Sequence, residues 1–394
     1  MVNVIVTGCN ITGLAIIRSL GKKGIRVFGL YSRNDEIGRF SRYLYKAVKS
    51  PDVLEKPEAF VKFLLDKKDE WKGSLIIPHG DAWLEILSKH FEELSNYYIV
   101  AVPNRQTIEV ATNKENLMQL ARELSIPCPE TFSVCSFDEL ATIKEKLVYP
   151  CLIKPKRTHL FSNTLNVKLF VAKDYQELCD YLKRCFSVDC GGVTVQEFIP
   201  GPETNLVGIR FYVSQKGDVL AENGFIKSRQ SPPNFGIVRV GKITIPVKEI
   251  SDYCRKMVQH LHYTGMGHWE FKFDSRDNKY KLLDFNARPH MDIGLDIHAG
   301  IDKPYWLYEE LVNHKNVADN KYEKDIYWIN FVSDLRYFIK CWLLKTNRLE
   351  RYSFAEYLRP YLSKNVFAVF DIKDPVPAVM EALYAFKFLL TKGI

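Results

Sequence analysis

Asp284 stands between Leu283 and Phe285 in an otherwise apolar run, a position where an unpaired charge is costly. The run is the second half of a strand–turn–strand pattern. Trp269-Glu270-Phe271-Lys272-Phe273-Asp274 comes first, Asp277-Asn278 makes the turn, and Leu282-Leu283-Asp284-Phe285-Asn286 returns. Alternation of side chains puts Asp284 and Asn286 on one face of the second strand, and Glu270 can lie opposite them on the first. Two carboxylates and an amide oxygen form a hard, oxygen-only donor set. Such a set suits magnesium, with manganese as the alternative, and the ion fills its remaining positions with water and phosphate. The plainer reading is a solvated hairpin, which leaves Asp284 uncompensated among apolar neighbours.

The rest of the chain must build a frame for that hairpin. Val2 to Gly8 is a β-branched run ending in glycine, followed by helical spacing through Leu14, Ile17 and Leu20. Strand signatures at Ile25 to Leu30, Ser74 to Pro78 and Tyr97 to Val102, with a helix from Trp83 to Leu94, give an alternating β and α order. The first 110 residues are therefore expected to form a doubly wound α/β domain. Asn113 can cap a helix from Lys114 to Leu124, which Pro127 terminates. Beyond it, strands at 149–154, 165–171, 194–198, 208–214 and 219–225, with helices at 175–185 and 250–261, read as α+β. From about Pro304 the spacing predicts a helical appendage.

With 394 residues, a net charge of +8 and nine cysteines lacking any CxxC pair, the chain is expected to be multidomain, cytoplasmic and inclined to anionic partners. No apolar run is long enough to span a bilayer. Nucleic acid is not favoured, because no recognition-helix motif or basic groove interleaved with stacking aromatics is present.

Four further features bear on chemistry. Gly8-Cys9-Asn10-Ile11-Thr12-Gly13 has the G-x-x-x-x-G frame of a phosphate loop but lacks the Lys-Ser/Thr that should follow, and Asn10 breaks the dinucleotide fingerprint. It reads as a structural turn, which weakens a nicotinamide-dependent dehydrogenase. Lys154 ends an apolar strand, and Lys114 begins a helix, where the macrodipole disfavours a cation unless an anion lies close by. Val195-Gln196-Glu197-Phe198-Ile199-Pro200-Gly201-Pro202-Glu203 is an extended segment. Its backbone could pair with an adenine edge, and Glu203 could accept ribose hydroxyls. Finally, His268, His290 and His298 flank the hairpin without zinc-site spacing and read as structural or substrate-contacting.

In this order the motifs resemble the ATP-grasp superfamily, over roughly residues 1–305. The likeness is to the carboxylate-amine ligase branch that includes carbamoyl-phosphate-synthetase-like proteins and D-aspartate ligases. It implies an N-terminal domain over 1–110, clamp subdomains over 111–190 and 191–305, and the helical appendage over 306–394. It further implies ATP as cofactor, with Lys114 and Lys154 on the phosphates, Glu197, Phe198 and Ile199 as the adenine hinge, and Glu203 on the ribose. Glu270, Asp284 and Asn286 would hold Mg2+. Arg288 would stabilise developing charge, and Arg229 would contact the carboxylate or the transferred phosphoryl group. Such enzymes join a small carboxylate to an amine through an acyl phosphate, releasing ADP and phosphate. The partners would be small molecules such as amino acids or a cell-envelope precursor.

Two departures from the family stand out: Asp284 occupies a position usually held by glutamate, and the segment after Lys154 lacks the usual lid glycines. A catalytically silent ATP-binding sensor or scaffold is therefore the alternative. In the tail, Ser333 can cap a basic amphipathic helix, with Leu335, Phe338, Ile339, Trp342 and Leu349 opposite Arg336, Lys340, Arg348 and Arg351. Such a helix either packs on the core or lies peripherally on a membrane.

Overall fold

The β-branched run at the start forms strand β1 (Val4–Val6), all of it buried. The computed structural model describes residues 2–155, 169–187, 192–231, 236–340 and 352–392. With β2 (Val27–Tyr31), β3 (Lys46–Lys49), β4 (Leu75–Ile77) and β5 (Ile99–Val100), β1 builds a parallel sheet ordered β3-β2-β1-β4-β5. This is the doubly wound arrangement expected at the N-terminal side. Helix Ile11–Gly21 follows β1, with the Asn10 Oδ1 capping it by accepting from the Gly13 N–H at 3.1 Å. Both glycines of the loop are required by packing. A Cβ on Gly8 would stand 2.0 Å from the His79 ring, and one on Gly13 would stand 1.8 Å from the Gly8 carbonyl oxygen.

The chain divides into two units: Met1–Ile108, Leu206–Trp269 and Asn286–Ile394 form one, and Glu109–Asn205 with Glu270–Phe285 form the other. The second unit contains β6 (Thr131–Val134), β7 (Cys151–Pro155), β8 (Phe170–Ala172) and β9 (Val193–Glu197). They form an antiparallel sheet ordered β6-β9-β7-β8. Helix Tyr175–Phe186 is capped by Asp174 and buries Leu178, Leu182 and Cys185 in one core with Ile153, Val193 and Val195. Helix Lys114–Glu123 is capped by Asn113, whose Oδ1 accepts from the Glu115 and Asn116 N–H groups.

The remaining strands are β10 (Leu206–Val213), β11 (Val219–Ser231), β12 (Ile237–Thr244), β13 (Gly265–Asp274), β14 (Lys279–Asn286), β15 (Tyr327–Ile329) and β16 (Asn365–Phe367). In the first unit the order runs β13-β10-β11-β12-β15-β16. Within β13 the chain passes to the second unit after Trp269, and it returns at Asn286, the last residue of β14. Asn278 takes a positive φ of 56° in the turn between these strands, a conformation asparagine tolerates.

The C-terminal segment is not helical alone. β15 pairs with β12 and lies parallel to β16, with Tyr327 opposite Asn365. Helix Phe331–Phe338 starts one turn earlier than expected, because the Asn330 side chain accepts from the Ser333 N–H and so takes the capping role. Trp342, Arg348, Leu349 and Arg351 lie outside the described residues. Among those described, no helix is long and apolar enough to cross a membrane.

Asp374 ties this segment to the start of the chain. Its carboxylate is 1% exposed and accepts from Arg18 Nε at 2.9 Å, Ser41 Oγ at 2.6 Å and the Arg42 N–H at 2.9 Å.

Candidate active site

Helix Lys114–Glu123 begins with the lysine whose placement needed an anion, and the second unit provides one. Lys114 Nζ pairs with the Asp284 carboxylate on β14 and donates to the Leu283 carbonyl at 3.2 Å. Asp284 is therefore not an uncompensated charge. On β7, Lys154 Nζ donates to Gln196 Oε1 on the neighbouring β9 at 3.0 Å. Burial, together with the charge of Lys114, lowers the Lys154 ammonium to about 8, while Asp284 and Glu270 act to hold it up. Lys114, Lys154, Glu270 and Asp284, read separately from the sequence, thus share one electrostatic neighbourhood. Each cation rests against a carboxylate or a neutral amide. Asn286 sits two residues beyond Asp284 on β14.

The hinge segment differs from the expectation in two ways. The Glu197 and Phe198 N–H groups are already spent, donating to the carbonyls of Glu130 at 2.8 Å and Pro150 at 3.0 Å. Among the described residues the Ile199 N–H makes no such backbone bond. The Glu197 side chain is also committed. Its carboxylate accepts from Arg276 Nη2 at 2.5 Å and from the Glu130 N–H at 3.2 Å, with Lys281 Nζ at 3.7 Å. Arg276 and Lys281 also hold Asp274, whose side chain is fully buried, at 2.6 and 2.8 Å. The Arg276 hydrogen bonds keep the Asp274 carboxyl well below the usual carboxylate range against the opposing effect of burial, and Lys281 adds to them. This network binds the β13–β14 hairpin to the end of β9.

Lys272 was not assigned a role from sequence, yet it belongs to this group. It is buried, its Nζ lies 5.2 Å from the centre of the Phe198 ring, and burial lowers its ammonium while Glu203 and Asp274 oppose that shift. The alternation of Glu270, Lys272 and Asp274 along β13 was the available signal, because all three share one face. Gln196, Arg276 and Lys281 carried no such signal. Their partners are set by the register of β9 against β7 and by the hairpin turn.

The two arginines lie in the first unit. Arg288 makes a two-pronged pair with Asp81, Nε to Oδ1 at 2.5 Å and Nη2 to Oδ2 at 2.8 Å. Asp81 is the first residue of helix Asp81–Lys89, where an anion is favoured. Arg229 is engaged with other parts of the first unit. Its guanidinium is 3% exposed, pairs with Asp334 at 2.8 Å and donates through Nη2 to the Glu356 and Tyr357 carbonyls, each at 2.9 Å. Those donors bind the protein itself.

His290, just after the hairpin, has structural partners. His290 bridges Asp292 at 2.8 Å and Asp296 at 3.1 Å, and buried Arg210 pairs with the same two carboxylates. Lys303 Nζ closes the network on Asp296 at 2.8 Å. The loop after Lys154, from 156 to 168, lies outside the described residues.

No family model matches the chain. Over 265 residues it is 24% identical to the D-aspartate ligase of Enterococcus faecium, covering 64% of this chain and 62% of that protein. The chain spans less than two thirds of the length of the sequence relatives it matches. Among solved structures it is similar to the L-amino acid ligase of Bacillus licheniformis, with a TM-score of 0.61, 19% identity, and coverage of 79% of this chain and 74% of that one. It is also similar to the N5-carboxyaminoimidazole synthetase of Staphylococcus aureus complexed with ADP, with a TM-score of 0.62, 16% identity, and coverage of 82% and 80%.

Proposed function

We propose that this chain, which has the ATP-grasp fold, is an ATP-dependent carboxylate-amine ligase. The observation that carries the reading is the convergence of Lys114, Lys154, Glu270 and Asp284 in one unit, with Lys154 lowered by burial and by Lys114. Two lysines with two carboxylates beside them fit a triphosphate and its metal. The lysines gain phosphate oxygens, and the carboxylates gain a hard cation in exchange for Lys114. Bound magnesium nucleotide would supply the phosphoryl group and the charge that neutralises its oxygens.

In this reading a substrate carboxylate oxygen attacks the terminal phosphorus, and ADP leaves. The amine nitrogen then attacks the acyl carbon, inorganic phosphate departs with the acyl–oxygen bond electrons, and the nitrogen gives up a proton. Lys114 and Lys154 bind and orient the phosphates. Glu270, Asp284 and Asn286 would hold the metal, and Ile199 and Glu203 would orient the nucleoside. Arg288, held in a fixed orientation by Asp81, supplies positive charge for both steps. The two amino-acid ligases among the likenesses support an amino acid as one substrate.

A second reading, a silent nucleotide sensor, draws support from the Lys114–Asp284 pair, which ties a metal ligand to a lysine. ADP release with ATP and magnesium, screened against pooled amino acids and small carboxylates, separates the two. Substrate-dependent release that Asp284→Asn abolishes supports the ligase. ATP binding with no release in any pool supports the sensor.

A further inference from the structure

The first unit contains a cavity of about 410 Å³ that none of the roles above uses, within the size range of small-molecule pockets. Asn10, Glu36, Asp52, Trp83, Glu381 and Tyr384 are among its walls. Its charges are not equivalent. Glu36 is consumed by the backbone N–H groups of Cys9 at 2.7 Å, Ser32 at 2.8 Å and Arg33 at 3.0 Å. Asp52 is held by Ser32 Oγ at 3.0 Å and the Leu54 N–H at 2.9 Å, and Asp35 pairs with Arg33 at 2.5 Å. His79, at the inner wall, is kept neutral, because burial together with the nearby Arg288 charge drops it to about 3.

Glu381 is the exception. It comes from helix Val376–Lys392, and burial, with no compensating partner among the described residues, pushes its carboxyl up to about 7. Tyr384, one turn on, is fixed in place, its hydroxyl donating to the Asn34 carbonyl at 2.8 Å and accepting from Arg39 at 3.2 Å. Trp83 is braced against His79 at 4.1 Å between ring centres. An acid without a partner and a held indole therefore line one cavity whose other acids are already spent. A cation satisfies both, the carboxylate by a charge-assisted hydrogen bond and the indole by its negative face.

We propose that this cavity binds a small primary amine on an apolar stem, with the ammonium on Glu381 and the stem against Trp83. Its identification as the pocket of the amine substrate rests on the ligase reading, but the binding itself does not. The same chemistry disfavours a carboxylate here, since it would meet Glu381 with no free cation among the described lining residues to offset it.

The test is calorimetric titration of the full chain, without nucleotide, with benzylamine, benzyl alcohol and benzoate. Benzylamine is expected to bind and benzoate not to. Glu381→Gln is expected to weaken benzylamine at least about tenfold, the factor that corresponds to one charge-assisted hydrogen bond, while leaving benzyl alcohol unchanged. Ala385→Phe, which fills the cavity and keeps the carboxylate, is expected to remove binding of both, with melting curves confirming that each variant folds. Equal benzylamine affinity in the wild type and Glu381→Gln overturns the proposal, as does no benzylamine binding or preferential binding of benzoate. If benzylamine binds as expected but no ADP release is found in any substrate pool, the pocket stands and only its place in a ligase reaction falls.

Discussion

Replacing Lys154 by methionine is expected to stabilise the nucleotide-free protein while abolishing ATP binding. The two side chains are close in length, so the change removes the charge and keeps most of the packing. An ammonium that falls from 10.5 to about 8 on folding is disfavoured by roughly 3 kcal/mol at neutral pH. Orphaning Gln196 Oε1, its acceptor at 3.0 Å, returns about 1 kcal/mol of that. A net gain of about 1–2 kcal/mol at pH 7 follows. Its pH dependence is the sharper signature. Between about 8 and 10.5 the unfolded wild-type chain binds more protons at this residue than the folded one, so wild-type stability rises with pH there. The methionine variant lacks that rise, and its advantage should shrink across the same window. Urea denaturation followed by hydrogen exchange in β7 and β9, at neutral and alkaline pH, measures both quantities, and ATP titration measures the functional loss. A methionine variant less stable than the wild type at pH 7, with an unchanged difference at pH 10, would refute the reasoning.

Asp284→Asn removes the partner of Lys114 and one carboxylate of the metal set, and is expected to make ATP affinity insensitive to magnesium, as read by titrations with and without the ion. Asp334→Asn is expected to cost roughly 3–5 kcal/mol in urea denaturation, because it strands Arg229 and Arg239, both almost fully buried beside it. ATP affinity is expected to be unchanged in that variant. Asp274, held low by Arg276 and Lys281, contributes stability that is complete above its ordinary value of 3.8 and fades as pH falls below it. Asp274→Asn should therefore flatten the acid limb of the stability profile, which a urea series from about pH 5 down to about pH 2 would record.

The fold was legible wherever local pattern and tertiary demand agree. The β1-to-helix turn, the α/β alternation and the hairpin all follow from period and punctuation, and their residues lie close to where the sequence places them. β15 and β16 were not legible. Each has three residues, too few for a period to show against flanking helices, and each is a strand only because a sheet edge is there to receive it. The site divides in the same way. Lys114 and Asp284 each broke a local rule, a cation at a helix start and a charge in an apolar strand, and each proves to be the other's remedy. Arg229 broke no rule, and its role depends on Asp334, 105 residues later, a separation no local pattern encodes. The bonds of Glu197 to Arg276 and the Glu130 N–H were not legible either, because they arise from pairing between distant strands.

The bonds around Asp374 reach further still. Arg18, Ser41 and Arg42 lie in the first fifty residues, and the carboxylate that satisfies them is more than three hundred residues away. During synthesis those donors emerge long before their acceptor does. The parallel sheet around Arg18 thus depends for its last buried bonds on a residue made more than three hundred positions after it. A fragment ending near residue 110 would carry the same sheet with that flank permanently open. What reads along the sequence as a self-contained domain is, as a folding event, half of a closure whose other half comes from a distant stretch of the chain.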